Sequence, residues 1–279
     1  MIMNLAPGLY IVSTPIGNLD DFTIRSINVL SKSNLILCED TRRSIKLLNH
    51  YKIKNKLVSY HKFNEQSRVR YIIDKIKSGD AISLISDAGT PSISDPGRIL
   101  CQECIKNHLD VVPIPGPSAI TAAMSVSGFG DKFYFHGFLN KQRTKTENEF
   151  KKISKVASSI IIFVNAKKLN SHIDYIKKYF SDRQILIARE ISKLNETFYR
   201  FSTNTLKHFD DNLKGEITIV ISEKPKEKKR LLDLNIEKEI KLLAKKFSSK
   251  DIVNKMSIKY KLPKKKVYNI CLKYKKNDS

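Results

Sequence analysis

Residues 86–97, SDAGTPSISDPG, hold two Asp, two Gly and two Pro but no Lys or Arg, in a chain whose net charge is +23. Prolines stiffen a loop, and the carboxylate of Asp87 favours a ligand with positively charged groups. S-adenosylmethionine has two such groups, an ammonium and a sulfonium, and it carries no phosphate. The chain also lacks the glycine-rich phosphate-binding patterns GxGxxG and GxxxxGKS/T. Asp and Gly are equally typical of tight turns, so this loop alone leaves both interpretations open.

Three other polar stretches begin where an apolar run ends, at residues 13–20 (STPIGNLD), 38–43 (CEDTRR) and 115–119 (PGPSA). In open α/β sheets, ligands bind beyond the carboxyl ends of the strands. We therefore expect these loops to meet residues 86–97 on one rim, with residues 188–193 (AREISK) facing them from the second half of the chain.

The elements that would position these loops follow from the alternation of apolar runs with segments of helical periodicity. Strands are predicted at residues 8–13, 34–38, 57–60, 81–86 and 109–114, and again at 132–138, 158–164, 184–190, 197–202 and 215–222. Three prolines among residues 113–117 interrupt the pattern and indicate a domain junction. The predicted fold class is α/β with two lobes and a cleft between them, formed by an N-terminal domain (1–116) and a second domain (117–222).

The C-terminal part of the chain carries a dense positive charge, because residues 223–279 hold 19 Lys and Arg against 7 Asp and Glu. Residues 223–231 are predicted to form a charged linker, and 232–279 a basic module resembling a helix-turn-helix. Such a surface suits a polyanion such as RNA, although a solvated tail has the same composition. The residues expected to contact RNA are Arg43 on the rim and Lys255, Lys259, Lys261, Lys264, Lys265 and Lys266.

Several classes of protein are disfavoured by the composition. The four cysteines are too few and too scattered for a disulfide framework, and no cluster of His, Cys and carboxylates has the spacing of a metal site. No run approaches 18 apolar residues, so no membrane span is expected. The first residues lack the features of a signal peptide. The sequence therefore predicts a cytoplasmic protein without a metal.

The motifs TPIGNLDD, CEDTRR, SDAGTPSISDPG, VVPIPGPSA, FHGFL and AREISKLNET together resemble the tetrapyrrole methylase superfamily, and within it the branch that acts on ribosomal RNA. The resemblance covers nearly the whole chain. It implies a bilobed α/β fold, a homodimer, and S-adenosylmethionine bound in the cleft between the lobes. The implied reaction is 2′-O-methylation of a cytidine in the decoding region of 16S rRNA within the small ribosomal subunit.

The resemblance also implies which residues would contact the methyl donor. From the N-terminal domain and the proline hinge these are Ile16, Asp87, Thr90, Ser118 and Ala119. Three more, Ala166, Ala188 and Thr218, are expected across the cleft from the placement of the predicted strands.

Methylation of a ribose hydroxyl calls for a group that takes the proton or stabilises the alkoxide. Glu39, Asp40 and Glu190 are the candidate bases or substrate anchors, and Arg42 and Lys193 are candidates to hold phosphate or ease alkoxide formation. An Arg–Glu pair at a domain junction is as often an interdomain salt bridge, so both interpretations of residues 189–190 stand.

Two other functions fit the same sequence. One keeps the fold and changes the acceptor, giving a C-methyltransferase that acts on a tetrapyrrole, for which a 57-residue cationic appendage has no obvious use. The other is a non-catalytic RNA-binding or ribosome-assembly protein with a methylase-like body.

His61, in HKFNE, could reach the rim and contact RNA, although an ordinary surface histidine is the simpler interpretation.

Overall fold

The computed structural model of the protein describes residues 5–210, 213–225, 227–244, 247–260 and 262–275. The chain forms two compact units, Met1–Glu223 and Lys224–Ser279. The first unit contains both sheets and the loops that the sequence singles out, and the described residues of the second unit form three helices.

The first sheet of the first unit consists of five parallel strands in the order β3-β2-β4-β1-β5. The strands are Gly8–Val12 (β1), Leu35–Cys38 (β2), Leu57–Ser59 (β3), Ala81–Ile85 (β4) and Val111–Ile114 (β5). The helices between them are Ile24–Lys32 (α1), Thr41–His50 (α2), Glu65–Lys77 (α3) and Arg98–Lys106 (α4).

Two of the three inner strands of this sheet, β2 and β4, are buried at every position. Apolar clusters cover both faces of the sheet, which is why these strands appear in the sequence as continuous apolar runs. Pro113 lies in β5 at the edge of the sheet, where a residue without an N–H group breaks no ladder. All four loops singled out in this half of the chain follow the carboxyl ends of its strands.

The second sheet is mixed and has the order β6-β7-β10-β8-β9. Its strands are Phe133–Phe138 (β6), Ser159–Asn165 (β7), Gln184–Arg189 (β8), Thr197–Ser202 (β9) and Glu216–Ile221 (β10). Only β6 and β7 run parallel; the other pairs are antiparallel. The accompanying helices are Ala119–Ser125 (α5), Arg143–Ile153 (α6) and Leu169–Tyr179 (α7).

Helix α5, which follows the proline hinge, packs on one face of the second sheet, where Ala123 joins Ile161, Leu186 and Val220 in a small apolar cluster. A larger cluster that includes residues of α6 and α7 covers the other face. The predicted α/β fold with two lobes is therefore confirmed, and each lobe has its own sheet and core.

The second unit contains three helices, Glu227–Ala244 (α8), Ser249–Tyr260 (α9) and Lys264–Lys275 (α10). The sequence predicted a module resembling a helix-turn-helix over residues 232–279, whose two helices correspond to α9 and α10. It did not predict α8, which begins inside the stretch 223–231 assigned to a linker. The core of this unit joins all three helices and consists of Ile236, Ile240, Ile252, Val253, Met256, Val267 and Cys271.

No helix within the described part of the chain is long and apolar enough to cross a membrane. The same residues contain no group of three or more His, Cys, Asp or Glu that could hold a metal ion.

Candidate functional site

A cavity of about 370 Å³ lies between the two lobes, at the carboxyl ends of the first sheet. Its volume falls within the range of small-molecule sites, roughly 300–1,000 Å³. The first lobe contributes the loops that follow β1, β4 and β5, and the second lobe contributes residues of β6, β7 and β10. This is the rim on which the sequence predicted the loops to meet.

The loops after β1 and β4 are joined by a short bridge. Thr14 N–H donates to Gly89 O (2.9 Å), and Gly89 N–H donates to Thr14 O (3.0 Å). The Thr14 hydroxyl donates to Ser86 O (3.1 Å), and the hydroxyls of Ser13 and Thr90 lie 2.9 Å apart. Gly89 has a φ of +77°, a conformation that residues with a Cβ rarely adopt. The bridge therefore fixes the cavity-lining residues of both loops relative to each other.

Carboxylates line the first-lobe wall of the cavity. The Asp87 carboxylate accepts a hydrogen bond from Asp40 N–H (3.2 Å) and lies 3.2 Å from Arg43 Nη1. Burial, followed by the neighbouring carboxylates of Glu39 and Asp87, raises the pKa of Asp95 to about 6. Burial and Asp87 also raise the pKa of Glu39. This wall concentrates negative charge in a partly dry environment, which favours a cationic ligand.

The loop that carries Asp95 has a constrained backbone. Ser92 and Ser94 have φ values of 69° and 67°, which are uncommon for residues other than glycine. Ser94 lies against Gly137 of β6, so the loop contacts the second lobe directly. Such conformations persist only where the surroundings hold them, and they are frequent at ligand sites.

Aromatic and apolar residues form much of the second-lobe wall. Phe138 and Phe163 both line the cavity, with ring centroids 5.3 Å apart. Thr218, which is almost fully buried, adds a hydroxyl group. The faces of aromatic rings attract cations. Both walls of the cavity therefore suit a ligand that combines positive charge with apolar parts, as S-adenosylmethionine does.

The lobes touch where the loop after β1 meets the loop after β8. A Cβ added to Gly17 would lie 2.3 Å from Lys193 Cγ and 3.0 Å from Ile191 O. The Ser192 hydroxyl also donates a hydrogen bond to the Asp21 carboxylate. This contact sets the spacing between the lobes at one side of the cavity.

Glu190 and Lys193, both predicted to be catalytic, form a network with Glu216 inside the second lobe. Lys193 Nζ donates to Glu190 Oε1 (2.9 Å) and Glu216 Oε2 (3.0 Å), and Glu216 N–H donates to Glu190 Oε1 (2.7 Å). Burial acts to raise the pKa of Glu190, but these hydrogen bonds lower it overall. Arg189 donates to the carbonyls of Lys214 and Asn195, so its hydrogen bonds are also made within this lobe.

Asp40 and Arg42, the other predicted catalytic pair, begin helix α2. The Asp40 carboxylate caps the helix by accepting from Arg42 N–H (2.9 Å), and it is also bound by Arg42 Nε (3.1 Å) and Nη2 (2.8 Å). Hydrogen bonds from the side chain and backbone of Arg42 lower the pKa of Asp40 to about 2. The Asp40 carboxylate is therefore engaged in capping α2. The Glu39 carboxylate accepts no comparable hydrogen bonds from the described residues that would lower its pKa.

Six of the eight residues expected at the methyl donor line the cavity: Ile16, Asp87, Thr90, Ser118, Ala119 and Thr218. Ala188 is fully buried in the apolar cluster beneath α5, and Ala166 packs against the core of the second lobe, next to the cavity-lining Asn165. The sequence analysis did not single out Asp95, Phe138 or Phe163, although the first two lie in the motifs SDAGTPSISDPG and FHGFL.

The lysines expected to bind RNA differ in their surroundings. Lys259 Nζ lies 2.6 Å from Glu239 Oε1, and Lys255 Nζ lies 5.8 Å from the centroid of the Phe247 ring. Lys264 and Lys265 are exposed at the start of α10. Two further predictions, Lys261 and the side chain of Lys266, lie outside the described residues.

Replacing Asp95 with asparagine is expected to stabilise the protein above pH 6. Because the pKa of Asp95 is raised from its ordinary 3.8 to about 6, its contribution to stability is complete below pH 4 and is lost as the pH rises through 6. Asparagine never ionises, so the variant gains about 1 kcal/mol above pH 6 after allowance for solvent screening. Thermal unfolding from pH 4 to 8 measures the difference, with Asp131→Asn as the exposed control. A difference that stays constant over this range would contradict the assignment.

The sequence of residues 8–207 matches the family described as Tetrapyrrole (Corrin/Porphyrin) Methylases. A relative from Thermotoga maritima named ribosomal RNA small subunit methyltransferase I is 43% identical over 77% of this chain and 98% of its own length. Relatives of the same name from Rickettsia prowazekii and Bacillus subtilis are 38% and 35% identical and cover 98% and 94% of this chain, and 99% and 92% of their own lengths.

Solved structures of low sequence identity share the two-lobed fold. The methyltransferase CobJ matches 77% of this chain and 94% of its own with a TM-score of 0.58 at 14% identity. A uroporphyrin-III C-methyltransferase from Thermus thermophilus has the same coverage, a TM-score of 0.54 and 12% identity.

The family match and the relatives identify a methyltransferase that uses S-adenosylmethionine, and in this two-lobed α/β fold carboxylates and aromatic rings line the cavity between the lobes. The chain belongs to the tetrapyrrole (corrin/porphyrin) methylase family. The resemblance noted in its motifs is confirmed, and the composition of the cavity walls fits the donor that this family uses.

Proposed function

We propose that the protein methylates the 2′-hydroxyl of a cytidine ribose in the decoding region of 16S rRNA, acting on the small ribosomal subunit in the cytoplasm as a homodimer. The main support is the similarity, at 38% identity across 98% of this chain, to a relative named ribosomal RNA small subunit methyltransferase I. That similarity includes the basic second unit as well as the two lobes.

The walls of the cavity would hold S-adenosylmethionine, which supplies the activated methyl group. Asp87 and Asp95 would attract its positive charges from one side, and Phe138 and Phe163 would face it from the other. The hydrogen bonds between Thr14 and Gly89 fix the loops after β1 and β4 relative to each other before the ligand binds. Because these loops are already ordered, less entropy is lost on binding.

Among the three candidate bases, Glu39 is the one whose pKa is raised, and its side chain lies beside the cavity rather than among the residues that line it. A general base works best when its pKa lies near the working pH, and burial and Asp87 raise the pKa of Glu39. The pKa of Asp40 is about 2, and hydrogen bonds lower the pKa of Glu190. Arg43, which is exposed at the rim and lines the cavity, would contact an RNA phosphate.

Single-turnover methylation tests this ranking. We expect Glu39→Gln to slow methyl transfer by about 10²-fold or more, the usual contribution of a general base. Asp40→Asn and Glu190→Gln are the matched controls and should slow it far less, because their carboxylates serve helix capping and the Lys193 network. Rates close to wild type in all three variants would exclude these carboxylates as the base.

The second unit is expected to dock RNA through Lys264 and Lys265. Each phosphate contact makes the slope of log K against log salt more negative by roughly 0.7–0.9, so Lys264→Gln with Lys265→Gln should make the slope less steep by about 1.5. The same exchange at Lys151 and Lys152, which are exposed on α6, is the control. An identical slope in wild type and both double variants would rule out this role.

Mapping of 2′-O-methyl groups in 16S rRNA, with and without the protein, tests the function as a whole. We expect one decoding-region cytidine to lose its methyl group when the protein is absent and to regain it when purified protein and S-adenosylmethionine are added to small subunits. Methyl transfer to a tetrapyrrole instead would support the C-methyltransferase, and failure to bind the donor in calorimetry would support a non-catalytic protein. Light scattering of the purified chain tests the homodimer.

A further inference from the structure

The loop that follows β3 presents an aromatic ring to solvent. Phe63 is 94% exposed, and among the described large hydrophobic residues only Leu194 is more exposed. The loop itself is held in place, since His61 N–H donates to Asn64 Oδ1 (2.8 Å) and Asn64 Nδ2 donates to Ser59 O (3.2 Å). A single exposed apolar side chain is common on protein surfaces, but an aromatic ring held by an ordered loop can serve as a contact for a partner.

This loop lies beside the cavity rim. Strand β3 pairs with β2, and Tyr60 N–H donates to Cys38 O (2.8 Å), so the loops after these two strands begin side by side. The side chains of His61 and Arg43 both lie close enough to Glu39 to lower its pKa, in opposition to its burial. His61 in turn contacts Phe63, with ring centroids 6.0 Å apart. One side chain, that of His61, therefore lies between the exposed ring of Phe63 and the Glu39 carboxylate that we propose as the base.

The charge around the loop indicates the kind of partner. Exposed cations lie on the loop itself, at Lys62, and on the adjoining start of α2, at Arg43, and the next exposed residue after Phe63, Gln66, is polar. Arg42, at the start of α2, is 87% exposed. An isolated aromatic ring within a cationic, polar surface is how proteins stack on the bases of unpaired RNA, whereas a contact between proteins would surround the ring with other apolar residues.

We propose that Phe63 stacks on an unpaired base of the RNA, next to the nucleotide that enters the cavity. This inference rests on the proposed function, because it assumes an RNA substrate. Stacking would hold the strand on the first-lobe rim while the target ribose faces Glu39.

The absence of tryptophan from the sequence allows a direct measurement. Phe63→Trp introduces the only tryptophan of the chain, and its fluorescence should be quenched when an unstructured oligoribonucleotide or purified small subunits are added. Ile105→Trp, on α4 and also exposed at 65% in wild type, is the matched control and should not respond. Phe63→Ala should weaken RNA binding by roughly 5- to 150-fold and leave the affinity for S-adenosylmethionine unchanged in calorimetry.

The outcomes separate this inference from the proposed function. If Phe63→Trp methylates small subunits but its fluorescence does not respond to RNA, the stacking role is wrong and the proposed function stands. If the wild-type protein neither binds nor methylates the subunits, the proposed function fails and the inference with it. A fluorescence change on dilution without RNA would place the ring between two copies of the chain and also overturn the inference.

Discussion

Replacing Arg183 with leucine should lower the free energy of unfolding by about 3–5 kcal/mol. The guanidinium is 1% exposed and donates to three carbonyls, Ser222 O (3.0 Å), Ser154 O (2.9 Å) and Val156 O (2.9 Å). Leucine has no donor, so these groups would lose their partners, and a buried unsatisfied polar group costs about 1–3 kcal/mol.

Equilibrium unfolding in urea measures this loss. Arg200→Leu is the matched control, because Arg200 is exposed and donates to a single carbonyl, Val126 O, so we expect it to cost about 1 kcal/mol or less. Arg183 lies before β8, at the end of the second sheet remote from the cavity. The folded Arg183→Leu protein should therefore bind S-adenosylmethionine normally at low temperature. Equal losses in the two variants would contradict the role assigned to Arg183.

The strands and their order along the chain were predictable because the first unit separates apolar runs from polar loops clearly. Strand β4, AISLI, is buried at all five positions, and in helices α1 to α7, where every position is described, no five consecutive residues are buried. Helix α8 was missed because its first residues, EKKR, are highly charged and indicate a linker by composition alone. Its apolar contacts, such as Ile236 and Ile240, become apparent only when the helix packs on α9 and α10.

The candidate site was predictable on the first lobe and less so on the second. Parallel strands bring their carboxyl ends to one edge whatever their order, which is why the loops that hold Ile16, Asp87 and Thr90 could be predicted to share one rim, and all three residues line the cavity. On the second lobe the strand order decides which residues line it. Phe163, Thr218 and Ala188 form one row across three neighbouring strands, and no local pattern in the sequence says where α5 covers that row.

The raised pKa of Asp95 could not be predicted from the sequence, for a different reason. Its position in SISDPG is typical of turn chemistry, and an aspartate in a turn usually points to water. Its raised pKa depends first on burial, and then on Glu39 from the loop after β2 and on Asp87 from the other end of its own loop. A property that two loops create together has no signature in either of them.

Substitution of Gly17 by alanine is expected to have the largest effect on methylation outside the proposed base. The added Cβ would lie 2.3 Å from Lys193 Cγ and 3.0 Å from Ile191 O, both in the opposite lobe. The lobes would have to move apart, and a misplacement of about 1 Å between donor and acceptor can reduce the rate by roughly 10²-fold. Single-turnover methylation and calorimetry with S-adenosylmethionine measure the two consequences separately.

A second substitution shows whether this contact is the cause. Lys193→Ala removes Cγ, so the Gly17→Ala and Lys193→Ala double variant should bind S-adenosylmethionine more tightly than Gly17→Ala alone. Gly79→Ala, where an added Cβ meets nothing within 4 Å, is the control for adding a methyl group to a loop glycine. If the double variant binds the donor no better than Gly17→Ala, the spacing of the lobes does not depend on this contact. If the double variant binds S-adenosylmethionine normally but does not regain methylation, Lys193 itself takes part in the reaction. The lobes have then returned to their positions, and only the missing Lys193 side chain explains the low rate.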